Sequence, residues 1–506
     1  MQNNVSPTAA PHPQLADPNR KADDPILLYR GPTKGRWTDA EAITAAFPAA
    51  PGEKQPSSFA QQLMDGVQGT GKVALELSPA PHVSWLFLSK VWHPIEAWPV
   101  LVPPGALTTE FATRAGPGGP PELPESRHES VGRSRVFFPV QVGDPNGCLD
   151  EIRFYLVNFQ VLQLVDNVNR GERTDPLARM DLRADRWRVE IESRPKDEFD
   201  RAIDHLEKHR GYAITHTCRI WREGGKAAQN TFTFAEAESI LEAVQLFLSF
   251  VRGGMVAVAL PVGYRNGTSE FEQWSVTPVD PGRYPDPNRG RPYPGWYLWY
   301  DNNPFNRKAA AWLPPMFERF AAKWWHPDPQ FQKLWRKVFR ELIFAFTDAE
   351  RTEQSRAIVP ACTALETLGW AVLVEMEQWL TGNRPPDGGR SGYDRLTAAD
   401  RLRLLLRWAG LSTEIPTSLS SMRQEAQGRD NWDGPHGVAW VRNKVVHPDR
   451  RDQLVDGIAA EAWLLAMWYA ELTILKLLDY DGWFRDRLDN EKIKRVPWAD
   501  ESSVPE

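Results

Sequence analysis

The amino-acid sequence predicts an α+β protein in two parts, a β-rich N-terminal region followed by an all-helical bundle. Three observations carry this. Up to about residue 310 the chain repeats short runs of Val, Phe, Tyr and Leu bounded by Gly, Pro and Asn, as strands joined by turns require. Beyond that point apolar residues recur at helical spacing in long stretches. The composition, 42% hydrophobic and 25% charged over 506 residues, is that of a globular chain with room for more than one core.

Taken in order, residues 1–24 are rich in Pro, Ala and Asn and read as a mobile tail. Residues 25–310 form the β-rich region, and the Gly/Pro-rich stretch 114–130 is an exposed loop that can divide it into two subdomains. "VSWLFLSKVW", "SRVFFPVQV", "IRFYLVNFQVLQL", "RWRVEIES" and "GYAITHTCRIWRE" read as strands, with "GDPNG" (143–147) as a turn. Two helices interrupt them. One spans 196–210, and the other is "FAEAESILEAVQLFLSFVRGG", which should end at Gly253–Gly254. A second Pro/Gly-rich stretch (279–294) precedes an aromatic cluster at Trp296–Tyr300. Residues 311–490 form the helical domain, with helices in "FQKLWRKVFRELIFAF", "ALETLGWAVLVEMEQWL", "LTAADRLRLLLRWAG" and "EAWLLAMWYAELTILKLL". Thr397-x-x-Asp400 has the form of a capping box opening the third of these. Residues 491–506 read as a tail.

Composition also narrows function. A net charge of −6 argues against a protein that coats nucleic acid non-specifically, while leaving a local basic site open. The three Cys are odd in number and far apart, which suggests neither a disulfide framework nor a Cys-rich metal site. No signal peptide is visible in the first residues, and no apolar run of about 18 residues is free of charge, so no membrane span and a cytoplasmic location are expected. With 22 Trp, some surfaces or cores must be strongly aromatic.

Several motifs fail on inspection. "GVQGTGKV" (66–73) has the Gly-x4-Gly-Lys core of a phosphate loop, but Val73 stands where Ser or Thr should hold magnesium. A helix-like segment precedes it and a strand-like one follows, the reverse of the required context, so it reads as a turn. "HLEKH" sets His205 and His209 one turn apart, yet no third ligand is evident and the flanks are charged throughout, as on a solvated helix. There is no Gly-x-Ser-x-Gly, and no Cys has a companion His at a recognisable nucleophile site. No metal and no cofactor are expected.

The remaining motif is "AWVRNKVVHPDRR" (439–451). On a helix Asn443 and His447 are one turn apart, with Arg442 beside them and Val441, Val445 and Val446 as apolar anchors. Pro448 ends the helix, leaving His447 in its last turn, where the helix dipole favours an imidazolium. Arg offers a fixed cation with a planar donor fork suited to phosphate. An Arg on a scissile phosphate and a His that moves a proton suffice for RNA cleavage through the 2′-OH without a metal. The bare spacing recurs at Arg210–His216, Arg319–His326 and Arg429–His436, but only Arg442–His447 sits inside a helix with Asn directly after the Arg.

"VRNKVVHP" closely resembles the R-x4-6-H motif of HEPN domains, and "IVPACTALETLGW" is similar to an earlier HEPN helix with an Ala-Leu-Glu-type segment. The resemblance covers about a third of the chain, from Pro329 to Trp483. The layout of a β-rich region before such a domain, with "GYAITHTCRIWR" and "FLSFVRGG", looks more loosely like ApeA-type bacterial anti-phage proteins. The resemblance implies a HEPN-like helical bundle acting as a metal-independent endoribonuclease. Arg442 would stabilise the phosphorane, His447 would serve as base or acid, and Asn443 would orient the His or the phosphate. Glu366 would hold Arg442 in a supporting role. Lys444, Arg450 and Arg451 make a basic RNA path. It further implies a homodimer, or a higher oligomer of dimers, that joins two motifs. The substrate would be tRNA or other cellular RNA, and the N-terminal region would restrain a toxin-type effector until a phage protein triggers it. The alternative is a non-catalytic HEPN scaffold whose N-terminal region binds a protein or ligand.

Overall fold

The computed structural model describes residues 26–32, 69–76, 82–89, 112–114, 128–135, 140–159, 166–168, 177–195, 197–202, 212–224, 230–277, 312–351, 354–382, 391–447, 454, 457–489 and 492–499. Outside these lie residues 1–24, most of the loop 115–127, His205 and His209, the 279–294 stretch, the Trp296–Tyr300 cluster, Pro448, Arg450 and Arg451.

The described strands are β1 (Ile26–Pro32), β2 (Gly69–Glu76), β3 (His82–Ser89), β4 (Ala112–Arg114), β5 (His128–Arg135), β6 (Val140–Gly143), β7 (Glu151–Val157), β8 (Asp166–Val168), β9 (Leu177–Ala184), β10 (Trp187–Ser193), β11 (Ile214–Arg222), β12 (Ala257–Arg265), β13 (Thr268–Trp274), β14 (Val276–Thr277), β15 (Trp483–Asp486) and β16 (Lys492–Arg495). The helices are α1 (Phe234–Arg252), α2 (Leu313–Trp324), α3 (Pro329–Arg351), α4 (Gln354–Trp370), α5 (Ala398–Ala409), α6 (Ser420–Ala426), α7 (Gly434–Val446) and α8 (Ile458–Leu477). The chain is therefore α+β, with antiparallel sheets towards the N-terminus and helices towards the C-terminus. It divides into two compact units interleaved in sequence. The first takes residues 1–158, 193–238 and 257–281, and the second takes 159–192, 239–256 and 282–506.

In the first unit β1 to β5 form one sheet in the order β1-β2-β3-β5-β4. The "GTGK" of the apparent phosphate loop lies inside β2, with Lys72 paired to Leu86 of β3, so this segment is strand rather than the expected turn. The ends of the expected 114–130 loop are likewise strand, since Arg114 closes β4 and His128 opens β5. A second run, β6-β13-β12-β7-β11, is antiparallel throughout. Its strand β7 lies between β12 and β11 and buries Ile152, Phe154, Tyr155, Leu156 and Val157. A strand covered on both faces reads as a continuous apolar run, which is why "IRFYLV" shows little alternation. The expected turn before β7 forms: Asp144 accepts the Asn146 N–H through its side chain (2.9 Å) and the Gly147 N–H through its carbonyl (3.1 Å).

The second unit holds α2 to α8 and most of α1. An aromatic cluster of Phe247, Phe317, Phe320, Trp324, Trp335 and Phe339 fills its core, with Phe320 and Phe339 edge to face at 4.8 Å. Burying each such side chain stabilises by about 1.5–3 kcal/mol, so part of the Trp enrichment is core packing. Helices α4 and α8 pack against each other near the centre of the unit. The segments Arg356–Met376 and Ile458–Leu477 are long and apolar enough to cross a membrane, and 72% of the 18-residue apolar window in each is buried inside the protein. The capping box holds, with Thr397 Oγ1 accepting the Asp400 N–H at 3.1 Å, and Gly410 ends α5 in the left-handed region (φ 71°). Helix α1 stops at Arg252, before Gly253 (φ 73°). The helix expected to run through Leu380 instead passes from α4 into a π-helical turn, Ala371–Met376, where the Glu377 N–H reaches the Val372 carbonyl at 2.9 Å. Trp370 donates its indole N–H to Glu375 (2.7 Å) across that widened turn. The helical unit also carries the β15–β16 hairpin, which the helical periodicity gives no sign of.

That hairpin is tied down by one buried ion pair. Arg487 donates to both carboxylate oxygens of Glu471 on α8, at 2.7 and 2.8 Å, with both side chains at most 4% exposed. Removing one partner from such a pair leaves an uncompensated buried charge. Urea unfolding of Glu471→Ala should therefore show a loss of about 3–5 kcal/mol, whereas the double variant Glu471→Leu/Arg487→Met should lose far less. Equal losses in the two would show that packing around the pair, not its charge, is what matters.

Candidate functional site

Helix α7, which carries the Arg–His motif, is placed by its first turn. Asp433 is the N-cap, its carboxylate accepting the His436 N–H at 3.0 Å. Arg403 of α5 grips the same carboxylate on both oxygens, at 2.7 and 2.9 Å, and also reaches Asp400 at 2.6 Å. The hydrogen bonds it donates to Asp433 hold the Arg403 guanidinium above its ordinary range, while the Thr397 hydroxyl and Arg403 hold Asp400 below the usual carboxylate range. The next residue, Gly434, is buried, and a Cβ there would overlap the Tyr469 hydroxyl of α8. Gly437 sits as closely against Met422. Two glycines and a shared carboxylate thus draw α7 into the bundle.

Along α7, Val438 and Val441 are fully buried and set the inward face. Val445 is half-buried, while Val446 is 39% exposed, so the expected trio of anchors reduces to Val441 with partial help from Val445. The reason is position: Val446 is the last helical residue, one step beyond the packed turn. Arg442 is half-buried and Asn443 and His447 are exposed. His447 is the C-cap, its N–H bonded to the Asn443 carbonyl at 2.8 Å, but its backbone (φ −124°, ψ 72°) has left the helix. The helical spacing that would stack its side chain on Asn443 therefore does not extend to it. Asn443 uses its amide oxygen to accept from Arg442 Nη1 at 3.1 Å, orienting the Arg rather than the His. The Lys444 ammonium lies 5.7 Å from the Trp440 ring, in a cluster where Arg429 covers both Trp432 and Trp440.

Glu366 does not pair with Arg442, yet both line the same cleft. This shallow cleft, open to solvent, is walled by Cys362, Leu365, Glu366 and Gly369 of α4, by Ala398, Arg401 and Leu402 of α5, and by Val438, Ala439, Arg442 and Asn443 of α7. Among the described residues no carboxylate forms an ion pair with Arg442, and its buried Nε has no hydrogen-bond partner. Arg401 donates to the Tyr393 carbonyl (3.0 Å) and lies over the Tyr393 ring (4.5 Å). Burial pushes the Tyr393 phenol up to about 12, with Arg401 opposing and Glu366 and Asp394 adding to the rise. Burial likewise pushes the Cys362 thiol up to about 12, with the Glu366 charge adding to the rise and Arg442 opposing it. The cleft was not legible as a unit in the sequence, because its walls come from segments far apart in the chain. The sole signal was the pairing of Glu366 with the Arg motif by resemblance.

In the other three Arg–His spacings the described members are absorbed by the fold, Arg210 lying outside the described residues. His216 is fully buried in β11, edge-on to Phe199 at 5.7 Å. Arg319 donates to the Leu478 carbonyl (3.0 Å), and His326 accepts the Asp328 N–H (3.2 Å). Arg429 pairs with Glu425, and His436 packs on Trp432 at 4.7 Å. Among the described residues no group of three His, Cys, Asp or Glu is placed to share a metal ion.

Fold and site together define a helical bundle unit whose one short helix presents an Arg–Asn pair over a charged cleft and an exposed His at its end. Residues 332–497, which contain Glu366, Arg442, Asn443 and His447, match the family model of the YopA C-terminal domain, and residues 144–285 match that of the YopA central domain. The chain is similar to the SPbeta prophage-derived uncharacterized protein YopA of Bacillus subtilis (strain 168), at 27% identity over 362 residues, covering 69% of this chain and 72% of the relative. No solved structure matches.

Two outcomes follow from this geometry. Asp433→Ala should lose about 1–2 kcal/mol from the cap alone and raise amide exchange in the first turn of α7, since Arg403 loses its partner too. Iodoacetamide should alkylate the exposed Cys148 in the native protein and spare Cys362, whose thiol stays protonated at neutral pH; mass spectrometry reads the difference.

Proposed function

We propose that this chain is a metal-independent endoribonuclease of the HEPN type, working in the cytoplasm as a homodimer or an oligomer of dimers. The single observation that carries the reading is the contrast among the four Arg–His spacings. The described members of three are consumed by packing or hydrogen bonds, while among the described residues Arg442 has only Asn443 as a partner and the exposed His447 imidazole has none. A half-buried guanidinium without an anion is a ready phosphate ligand.

In the proposed reaction Arg442 binds a non-bridging phosphate oxygen, its fork held by Asn443. His447 takes the 2′-OH proton, and the 2′-oxygen attacks phosphorus to form the 2′,3′-cyclic phosphate. The 5′-oxygen leaves with a proton from a general acid. One chain supplies one His, whereas this chemistry proceeds best with both a base and an acid. A two-fold pair of α7 helices would supply both, and the exposed Val446 beside His447 suits such a contact. Lys444, Arg450 and Arg451 would guide the RNA, tRNA among the candidates. The N-terminal region would act as sensor of a phage component, and a prophage-borne relative supports a role in conflict involving phages.

The second reading is a non-catalytic interaction module, favoured by the exposed Met376, Trp379 and Val446 in the same helical unit. Incubation of purified protein with tRNA and total RNA in EDTA separates the two. The ribonuclease should leave 2′,3′-cyclic phosphate and 5′-OH ends. His447→Ala and Arg442→Ala should each cut turnover by about 10²–10⁴-fold without loss of fold. Arg442→Lys should rescue poorly, and His216, His326 and His436 variants that fold should stay active. No cleavage under any condition, or strict dependence on a divalent metal, overturns the proposal.

A further inference from the structure

The cleft beside Arg442 holds a set of groups that phosphate binding alone does not use. Glu366 lines it from α4, and among the described residues its carboxylate has no hydrogen-bond or ion-pair partner. Arg401 and Arg442 line the same space, and Leu365, Leu402 and Val438 supply apolar walls. Arg401 is held by Tyr393, whereas the Arg442 Nε is buried with no partner. The fold thus sets an unpaired carboxylate and a guanidinium without an anion along a single apolar-walled space.

A free phosphate or an acidic peptide would suit the two guanidiniums but meet the Glu366 charge. A cation would suit Glu366 but meet Arg401 and Arg442. A nucleotide satisfies both demands, with an anionic phosphate at one end and neutral N–H donors on a flat apolar ring at the other. Of the four RNA bases, guanine alone presents two adjacent donors, N1–H and N2–H2, on its Watson–Crick edge, matching the two oxygens of a carboxylate. Adenine and cytosine set an acceptor nitrogen next to their amino group, and uracil flanks its single N–H with two carbonyls. Each would turn a lone pair towards the carboxylate.

We infer that the cleft takes the unstacked base of the nucleotide whose phosphate Arg442 holds, and that Glu366 selects guanine there. The inference rests on the reading of Arg442 as a phosphate ligand, and it makes Glu366 a specificity residue rather than a support for Arg442. Bidentate pairing of this kind discriminates between bases by about tenfold or more.

The test uses the full-length protein and short U-rich RNA oligonucleotides, 2′-O-methylated throughout so that no 2′-OH can attack. Each carries a central G, A, C or U, and binding is followed by fluorescence anisotropy. The G oligonucleotide should bind at least about tenfold tighter than the other three. Glu366→Gln, with folding checked by thermal unfolding, should bring all four together, and Arg442→Ala should weaken all four alike. No preference for G, a preference that survives Glu366→Gln, or a uniform loss across all four bases in Glu366→Gln overturns the inference, as does failure to bind any of them. Guanine preference without cleavage of unmodified RNA would leave the base site standing and remove the ribonuclease. Cleavage with no guanine preference would do the reverse.

Discussion

Helix α7 begins where it does because the Asp433 carboxylate is held on both oxygens by Arg403 while it accepts the His436 N–H. A helix N-terminus has donors without partners, and a carboxylate there is favoured by both hydrogen bonding and the helix dipole. Here the capping carboxylate is also a link to α5, so the register of α7 against α5 is set by a charge pair and not by apolar contact alone. The buried Gly434 then lets α7 approach Tyr469 of α8. With one end fixed against two neighbours, the far end carries Arg442 over the cleft and leaves His447 at the surface.

What that end presents is defined by incomplete satisfaction. Elsewhere in the second unit some charged groups are fully matched. Glu471 and Arg487 are matched oxygen for nitrogen, and Arg319 closes carbonyls at the end of α8. At the cleft the Glu366 carboxylate and the Arg442 Nε lack partners among the described residues, as does the exposed His447 imidazole at the end of α7. The Cys362 thiol at its wall is held protonated by burial, so the reactive-looking atom there is inert while the polar atoms at the rim are available. At its edges Arg401 donates to the Tyr393 carbonyl and Arg442 to the Asn443 amide oxygen.

Legibility in the sequence followed the range of the interactions. Thr397 with Asp400 and Gly253 mark helix ends through bonds within one turn, and both stand where the local pattern puts them. The "GTGK" segment shows the opposite case: its glycines suggest a turn, yet pairing with β3 holds them extended. The π-helical turn after Trp370 is equally silent in the periodicity, since "AVLVEM" is apolar enough for an α-helix. Val446 lies outside the packed face although its helical phase fits an anchor, because phase alone does not set where that face stops.

The sequence by itself determined the α+β order, the helix caps, and the placement of Arg, Asn and His at the end of one short helix, because each depends on neighbours a few residues apart. The tertiary structure decided which of four Arg–His spacings stays chemically free. It also turned Asn443 to Arg442, let His447 leave the helical path, and set Glu366 in the cleft without binding Arg442. Those outcomes depend on α4, α5 and α7 meeting across some eighty residues of chain, from Cys362 to Asn443. Side-chain partners at that separation are chosen by packing, which no local pattern encodes.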